Sequence, residues 1–259
     1  MRRVSANGRR VRPLARDYPA GWHVARHRHR RGQLVYAASG VMRVTTRAGI
    51  WIVPPQRAVW VPARMPHEIQ MEGAVAMRTL YLDQRAATTL GHQCKVLVVS
   101  GLVRELVLGL VDDPPLRQGA RGALMTRLLL RELAVADQVP LHLPTPADPR
   151  LQQVCALLLE GRGRAWNLDR LARQSGASTR TLARLFRREL KTTFLRWRQH
   201  ADIARAVSQL ADGSSVKAAA HGAGYDSASA FTAMFRRALG VTPTRYMKRR
   251  PDPPAGQRG

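Results

Sequence analysis

LDRLARQSGASTRTLARLFRREL, residues 168 to 190, has the periodicity of two short helices around a turn. Leu168, Leu171 and Ala172 make one apolar face, Ser175 and Gly176 interrupt it, and Ser178 or Thr179 then caps a second helix with Leu182, Leu185 and Phe186 inward. On the opposite side of that second helix, Arg180, Arg184 and Arg187 fall at i, i+4 and i+7. Three guanidinium groups therefore line one side of a cylinder whose width suits a B-DNA major groove. The spacing predicts a helix-turn-helix with its second helix as the reader.

The pattern recurs from Val216 to Leu239, VKAAAHGAGYDSASAFTAMFRRAL. Val216, Ala219 and Ala220 replace the first apolar face, Gly222 and Gly224 break it, and Phe235-Arg236-Arg237-Ala238-Leu239 repeats the F-R-R-x-L of Phe186 to Leu190. Two such units in one chain can place two helices in major-groove segments about 34 Å apart, as a dimer of single units does. Between them Phe194, Trp197, Ala201 and Ala204 follow i, i+3, i+7, i+10, so a connecting helix packs one face onto both units.

The double unit, the connecting helix from Phe194 to Leu210 and the closing GVTPTRYMKR, Gly240 to Arg249, resemble the DNA-binding domain of AraC/XylS-type bacterial transcription regulators. The resemblance implies a double-stranded DNA operator as partner, with RNA polymerase as a further candidate, and leaves activator or repressor open. It implies base-reading side chains at Arg180, Ala183 and Arg184 in the first unit, and at Ala228, Ser229, Thr232 and Ala233 in the second. Thr179 and Arg187 flank the first set. Arginines can each take a guanine edge, whereas alanines and short hydroxyls offer methyl contacts and single hydrogen bonds. The first half-site is thus expected to be read more strictly, with the second serving as a backbone clamp through Arg236 and Arg237. A merely solvated arginine face would leave the repeat unexplained.

Charge supports the same partner. The 259 residues carry a formal net charge of +26, and residues 150 to 250 hold twenty basic against six acidic side chains. Such a surface favours a polyanion and salt-sensitive binding. The excess of arginine over lysine, 39 to four, runs through the whole chain and reads as coding bias in a GC-rich genome more than as function. Cys94 and Cys155 are the only cysteines and give neither a disulfide framework nor zinc-finger spacing. No apolar run reaches membrane-spanning length, so a soluble, cytoplasmic protein is expected. No nucleophile-base pair, phosphate-cradling loop or carboxylate pair of convincing spacing stands out, which argues against an enzyme.

The N-terminal half has a different texture. Residues 1 to 16 are arginine-rich and aperiodic, and are expected to be a disordered leader or a DNA-contacting arm. From 17 to about 83, Gln33–Ala38, Gly40–Thr46, Gly49–Val53, Ala58–Val61, Glu68–Met71 and Ala76–Tyr81 are strand-length segments bounded by Gly or Pro, implying a small sandwich or barrel. Trp22, Tyr36, Trp51, Trp60 and Tyr81 are its large side chains, in the core or lining a pocket. Gly21, His27, His29, Gln33 and Gly40, followed by His67, resemble the signature motifs of cupin barrels, in which three histidines and a glutamate hold a divalent metal. Gln33 stands at the glutamate position and Arg64 at a motif glycine. Both changes weaken cation binding. A metal on His27, His29 and His67 stays open, but a metal-free pocket for a small-molecule effector is favoured, lined by His27, His29, Gln33, Tyr36, Trp51, Arg64 and His67. No cofactor is required.

Helical periodicity returns at Leu102, Val103, Leu106, Val107 and Leu110, and at Leu124, Leu128, Leu129 and Leu133. In the resembled family such helices form a dimer interface, so a homodimer is expected; the alternative is that they cap the barrel. Residues 138 to 149, QVPLHLPTPADP, read as a proline-rich linker that is neither helix nor inner strand. Asp148 and Pro149 begin a helix running to Glu160. The expected architecture is a two-domain α+β protein. A cupin-like β-barrel with following helices occupies 17 to 137, an all-α double helix-turn-helix 150 to 250, and a disordered tail 251 to 259. Its expected function is effector-controlled, sequence-specific transcription regulation; a metal-dependent cupin enzyme fused to a DNA-binding domain, and a non-specific architectural DNA binder, are the alternatives.

Overall fold

A computed structural model describes residues 10–139, 142–163, 165–211, 213–239 and 242–248. The chain forms two compact units, one holding the chain up to Thr46 together with Trp51–Pro140, the other Arg47–Ile50 together with Leu141–Lys248.

The first unit is built on two long strands. Alternating side chains run through β3 (Gly32–Thr46) and β6 (His67–Leu82), which pair antiparallel over nearly their whole lengths. The sequence suggests breaks at Gly40 and Gly73, but each strand runs through its glycine, with register shifts around Ser39. Gly40 has φ +77°, and a Cβ there would lie 2.2 Å from the Ala74 carbonyl, so only glycine bends the ribbon at that point without breaking it. Around this pair lie β1 (Val11–Tyr18) and β2 (His23–His27), both on β6, then β4 (Gly49–Val53) on β3, β5 (Arg57–Val61) on β3, β7 (Lys95–Val98) on β5, and β8 (Gln138–Val139) at the edge. Among the described residues no strand pair closes this sheet, which corrects the expectation of a closed barrel. β1 also corrects the extent of the disordered leader: residues 11 to 16 pair with Leu82 to Met77, since a ladder of backbone bonds to an open edge of β6 needs no apolar alternation. Residues 1 to 9 lie outside the described chain.

Helices cover one face of the sheet. After α1 (Gln84–Ala87) and a 3₁₀ turn come α2 (Gly101–Asp112), capped by Ser100, and α3 (Gly119–Val135). Their buried Val103, Leu106, Val107, Leu110, Leu129 and Leu133 join Leu34, Tyr36, Trp60 and Leu80 in one core. Each such fully buried side chain stabilises by roughly 1.5–3 kcal/mol. Trp60 donates Nε1–H to the Gly91 carbonyl at 2.9 Å, and its ring fills the place a Cβ on Gly32 would take. Trp22, expected as a core or pocket side chain, is instead 51% exposed.

The second unit contains β9 (His142–Pro144), α4 (Pro149–Leu159), α5 (Leu168–Gln174), α6 (Thr179–Leu190), α7 (Phe194–Ala211), α8 (Val216–Gly222), α9 (Ala228–Leu239) and α10 (Pro243–Lys248). Local chemistry sets the helix starts. Asp148, Asn167, Ser178 and Ser215 each accept a hydrogen bond from a first-turn amide. The turns of the two helix-turn-helix units pass through Gly176 (φ +67°) and Gly224 (φ +85°), at matching positions. On α7, Phe194, Trp197, Ala201 and Ala204 are all buried, as their spacing predicts. The proline-rich segment, read as neither helix nor inner strand, carries the two short strands β8 and β9. β8 is an edge strand, bonded to β7 alone, which is compatible with the neighbouring prolines. Gly240, Val241 and Arg249 of the closing motif, and the expected tail 251 to 259, lie outside the described residues.

Candidate functional site

Two clusters stand out. The first is the outward face of α6, whose inward face buries Leu182, Leu185, Phe186 and Leu190 completely or nearly so. That burial forces the arginines out: Arg180, Arg184, Arg187 and Arg188 are exposed, and with Ala183 they line one open surface hollow. The equivalent face of α9 is lined by Ala228, Ser229, Thr232, Ala233 and Arg236, joined by Thr242 ahead of α10. Arg237 is exposed but is not part of that hollow. Aligning the F-R-R-x-L ends puts Arg180, Ala183, Arg184, Arg187 and Arg188 opposite Ser229, Thr232, Ala233, Arg236 and Arg237. Four arginines thus stand where the second face has two. Thr179 departs from the expected set, because its hydroxyl bonds the Asp169 carboxylate of α5 and ties the two helices together. Arg188 and Thr242 were missed by sequence reasoning; Arg188 was legible as one helical turn beyond Arg184.

α6 is anchored from behind. Glu189 accepts hydrogen bonds from the amides of Ala147 and Asp148 at 2.8 and 3.0 Å, at the entry to α4. Its pKa is lowered, first by the Arg188 guanidinium and then by the Asp148 amide. The Asp148 carboxyl, bound by Arg150, is held down at about 2.

The second cluster lies in the sheet unit. His27 ends β2, His29 follows in the loop and His67 starts β6; the backbone amide of Arg64 donates to the His29 carbonyl at 2.7 Å and pins that loop. His27 and His29 therefore do not share a strand as their spacing suggests, yet the three rings meet. Their centroids are 5.0 Å apart for His27 and His29, 4.4 Å for His27 and His67, and 4.9 Å for His29 and His67. One ring nitrogen from each lies within 4.8 Å of the other two. Nδ1 of His27 is 2.8 Å from the Ala25 carbonyl and Nδ1 of His67 is 2.9 Å from the Met65 carbonyl. Nε2 of His29 is buried without a partner. Burial lowers the pKa of His29, with help from His27, and brings His67 down to about 4, so both rings are neutral at pH 7.

Gln33 completes this cluster. Its Oε1 is 3.1 Å from His67 Nε2, and its amide donates to Thr79 Oγ1 at 3.0 Å and towards the Tyr81 hydroxyl at 3.4 Å. Tyr81 also presents its ring to His29. Tyr36 and Arg64 leave the expected pocket. Tyr36 is three residues from Gln33, so the pleat turns it to the other face of β3, into the core with Trp60 and Val103. The Arg64 residue is exposed, and it takes the left-handed φ of +63° where the cupin motif has glycine. Trp51 is 3% exposed on β4.

Residues 14–173 match the family of AraC-like ligand binding domains, and residues 171–249 match a helix-turn-helix domain family. The chain is 35% identical over 227 residues to the HTH-type transcriptional regulator NimR of Escherichia coli K12, covering 86% of this chain and 82% of that protein. The chain belongs to the AraC family of DNA-binding transcription regulators.

Further proteins are similar to it. The regulator RipA of Corynebacterium glutamicum is 28% identical over 167 residues, 63% of this chain and 50% of that one. Among solved structures, ToxT from Vibrio cholerae with a bound unsaturated fatty acid aligns over 92% of this chain and 94% of its own at 11% identity and a TM-score of 0.38. The match to the ligand-binding family precedes the match to the helix-turn-helix family along the chain, and the two clusters fall one in each. The histidine cluster offers ring nitrogen and amide oxygen atoms to a ligand, while the α6 and α9 faces offer guanidinium groups and short hydroxyls. Among the described residues no helix is long and apolar enough to cross a membrane.

Proposed function

We propose that this AraC-type regulator reads a two-part double-stranded operator through α6 and α9, in the cytoplasm and without catalysing a reaction. Arg180 and Arg184 read guanine edges in the first half. Ser229 and Thr232 make weaker contacts in the second, where Arg236 and Arg237 hold phosphates. The observation that carries this reading is the recurrence of an exposed outward face on α6 and on α9, with α7, one face of which is buried, between them in the chain.

A small-molecule effector bound by the sheet unit shifts the protein between states of different operator affinity, by no more than its own differential affinity for them. The protein acts as a homodimer through the outer face of α3, where Leu124 is 55% and Leu128 43% exposed while Leu129 and Leu133 are buried. The leucine stripe thus divides between core and surface, and Leu124 borders a groove of about 670 Å³ that also includes Val11, Pro13 and Leu110. Selection of binding sites from random DNA tests the reading: recovery of a bipartite site with more sequence information in one half supports it, and equal information in both halves contradicts the division of labour. Replacement of Leu124 and Leu128 by glutamate is expected to convert a sedimenting dimer to a monomer; a wild-type chain that stays monomeric at all concentrations excludes the dimer.

A further inference from the structure

The groove beside Leu124 lies on the helix-covered face of the sheet. Val11 and Leu110 in its wall belong to the same core as Tyr36, which points away from Gln33 and the histidines. Its apolar surface comes from Val11, Pro13, Leu110, Leu124 and Leu130, contributed by β1, α2 and α3. Arg10, Arg117 and Arg127 stand around that surface, and no acidic residue lines it. Among the described residues none of these three arginines has an ion-pair partner. The Nε of Arg117 is buried without a hydrogen-bond partner.

The backbone adds to this positive charge. A Cβ on Gly122 would lie 2.2 Å from the Arg117 carbonyl, so glycine lets the turn before α3 close tightly on the first turn of that helix and holds Arg117 beside it. α3 begins at Gly119 with no side-chain cap on its first amides, and Gln118, Gly119 and Ala120 line the same groove. A 17-residue helix thus presents its positive end to the groove. We propose that this groove binds a free amphipathic carboxylate, with its apolar body on Leu110, Leu124 and Leu130 and its anionic head met by the arginines. At about 670 Å³ the space is that of a small-molecule site.

Charge complementarity selects this class of occupant. A polyanion such as DNA neutralises the arginines but leaves the leucine surface uncovered, and a neutral apolar molecule covers the leucines but leaves guanidinium groups without a counter-charge. A second α3 pressed into the groove would bring its own Arg121 and Arg127 against the same cations. The site lies across the sheet from the histidine cluster and does not depend on that cluster binding anything. Leu128, the other exposed leucine of α3, does not line the groove, so ligand uptake and dimerisation are separable.

The full-length chain, without DNA, is titrated calorimetrically with octanoate, with octan-1-ol and with inorganic phosphate. The expected result is one saturable octanoate site per chain, with the alcohol and phosphate each bound at least about tenfold more weakly. Ala123→Trp, which fills the groove from an exposed helix position, is expected to abolish octanoate binding. Arg127→Glu, at an exposed site, is expected to weaken it at least about tenfold, and His27→Ala to leave it unchanged. Absence of saturable binding at millimolar octanoate overturns the proposal, as does equal affinity for octan-1-ol. Octanoate binding that survives in a folded Ala123→Trp variant and is lost in His27→Ala would place the ligand at the histidine cluster and also overturn it. A chain that takes up no octanoate but whose dimer dissociates on Ala123→Trp would assign the groove to a second copy instead.

Discussion

At the level of single residues, the reading helices make an unequal pair. Arg184 is exposed in the middle of the α6 face and its counterpart is Ala233. Arg184→Ala is expected to lower affinity for the selected operator by about 1–3 kcal/mol, roughly 5- to 150-fold, while binding to random DNA falls far less; fluorescence anisotropy on both DNAs measures it. Titration makes a second residue-scale prediction. His67 falls from an ordinary 6.5 to about 4 on folding, mainly through burial. Between those values the unfolded chain binds more protons than the native one, so stability is complete above pH 6.5 and is lost as pH falls towards 4, by up to about 3 kcal/mol. Urea denaturation of the sheet unit across that range should show the loss, and His67→Asn should flatten it; a profile independent of pH would refute the buried, neutral ring. The resemblance to the cupin motifs made the three histidines legible as one cluster. Parity along that strand would also have put Tyr36 on the face opposite Gln33, whereas no local signal shows that Thr179 is taken by Asp169.

Elements were legible where period and caps agree. All the helices of the double helix-turn-helix follow from apolar spacing and from Asp148, Ser178 or Gly176, each acting within a few residues of itself. The sheet was harder to read. Gly40 and Gly73 look like strand ends in sequence, whereas pairing partners far along the chain carry β3 and β6 straight through them. β1 escaped notice because its support comes from β6, some 60 residues away. Two variants test the helical elements. Glu189→Ala removes the acceptor for the Ala147 and Asp148 amides and is expected to cost the DNA-binding unit about 1–3 kcal/mol, measured by chemical denaturation. Ala204→Pro breaks the buried middle of α7 at a cost of about 3 kcal/mol or more. It is expected to abolish selection of the bipartite site while weak, salt-dependent binding persists; equal loss of both would mean that the unit had unfolded.

For the whole molecule, charge and repetition carry the account. Of the formal charge of +26, residues 150 to 250 carry +14, so operator affinity should fall steeply and linearly on a logarithmic salt scale, with a slope set by the number of phosphates neutralised. Domain order was legible from the change in periodicity near residue 83 and the prolines of 138 to 149. Openness of the sheet was not, because closure depends on which edges meet, and no local signal encodes that. The central claim is that α6 and α9 enter successive major-groove segments of one duplex together. Hydroxyl-radical footprinting of the full chain on its selected operator tests this most directly. The account predicts two protected segments about one helical turn apart per DNA-binding unit, the α9 segment vanishing when Ser229 and Thr232 are replaced by glutamate while the α6 segment persists. A wild-type footprint with a single segment, no longer than one helix could cover, would contradict it.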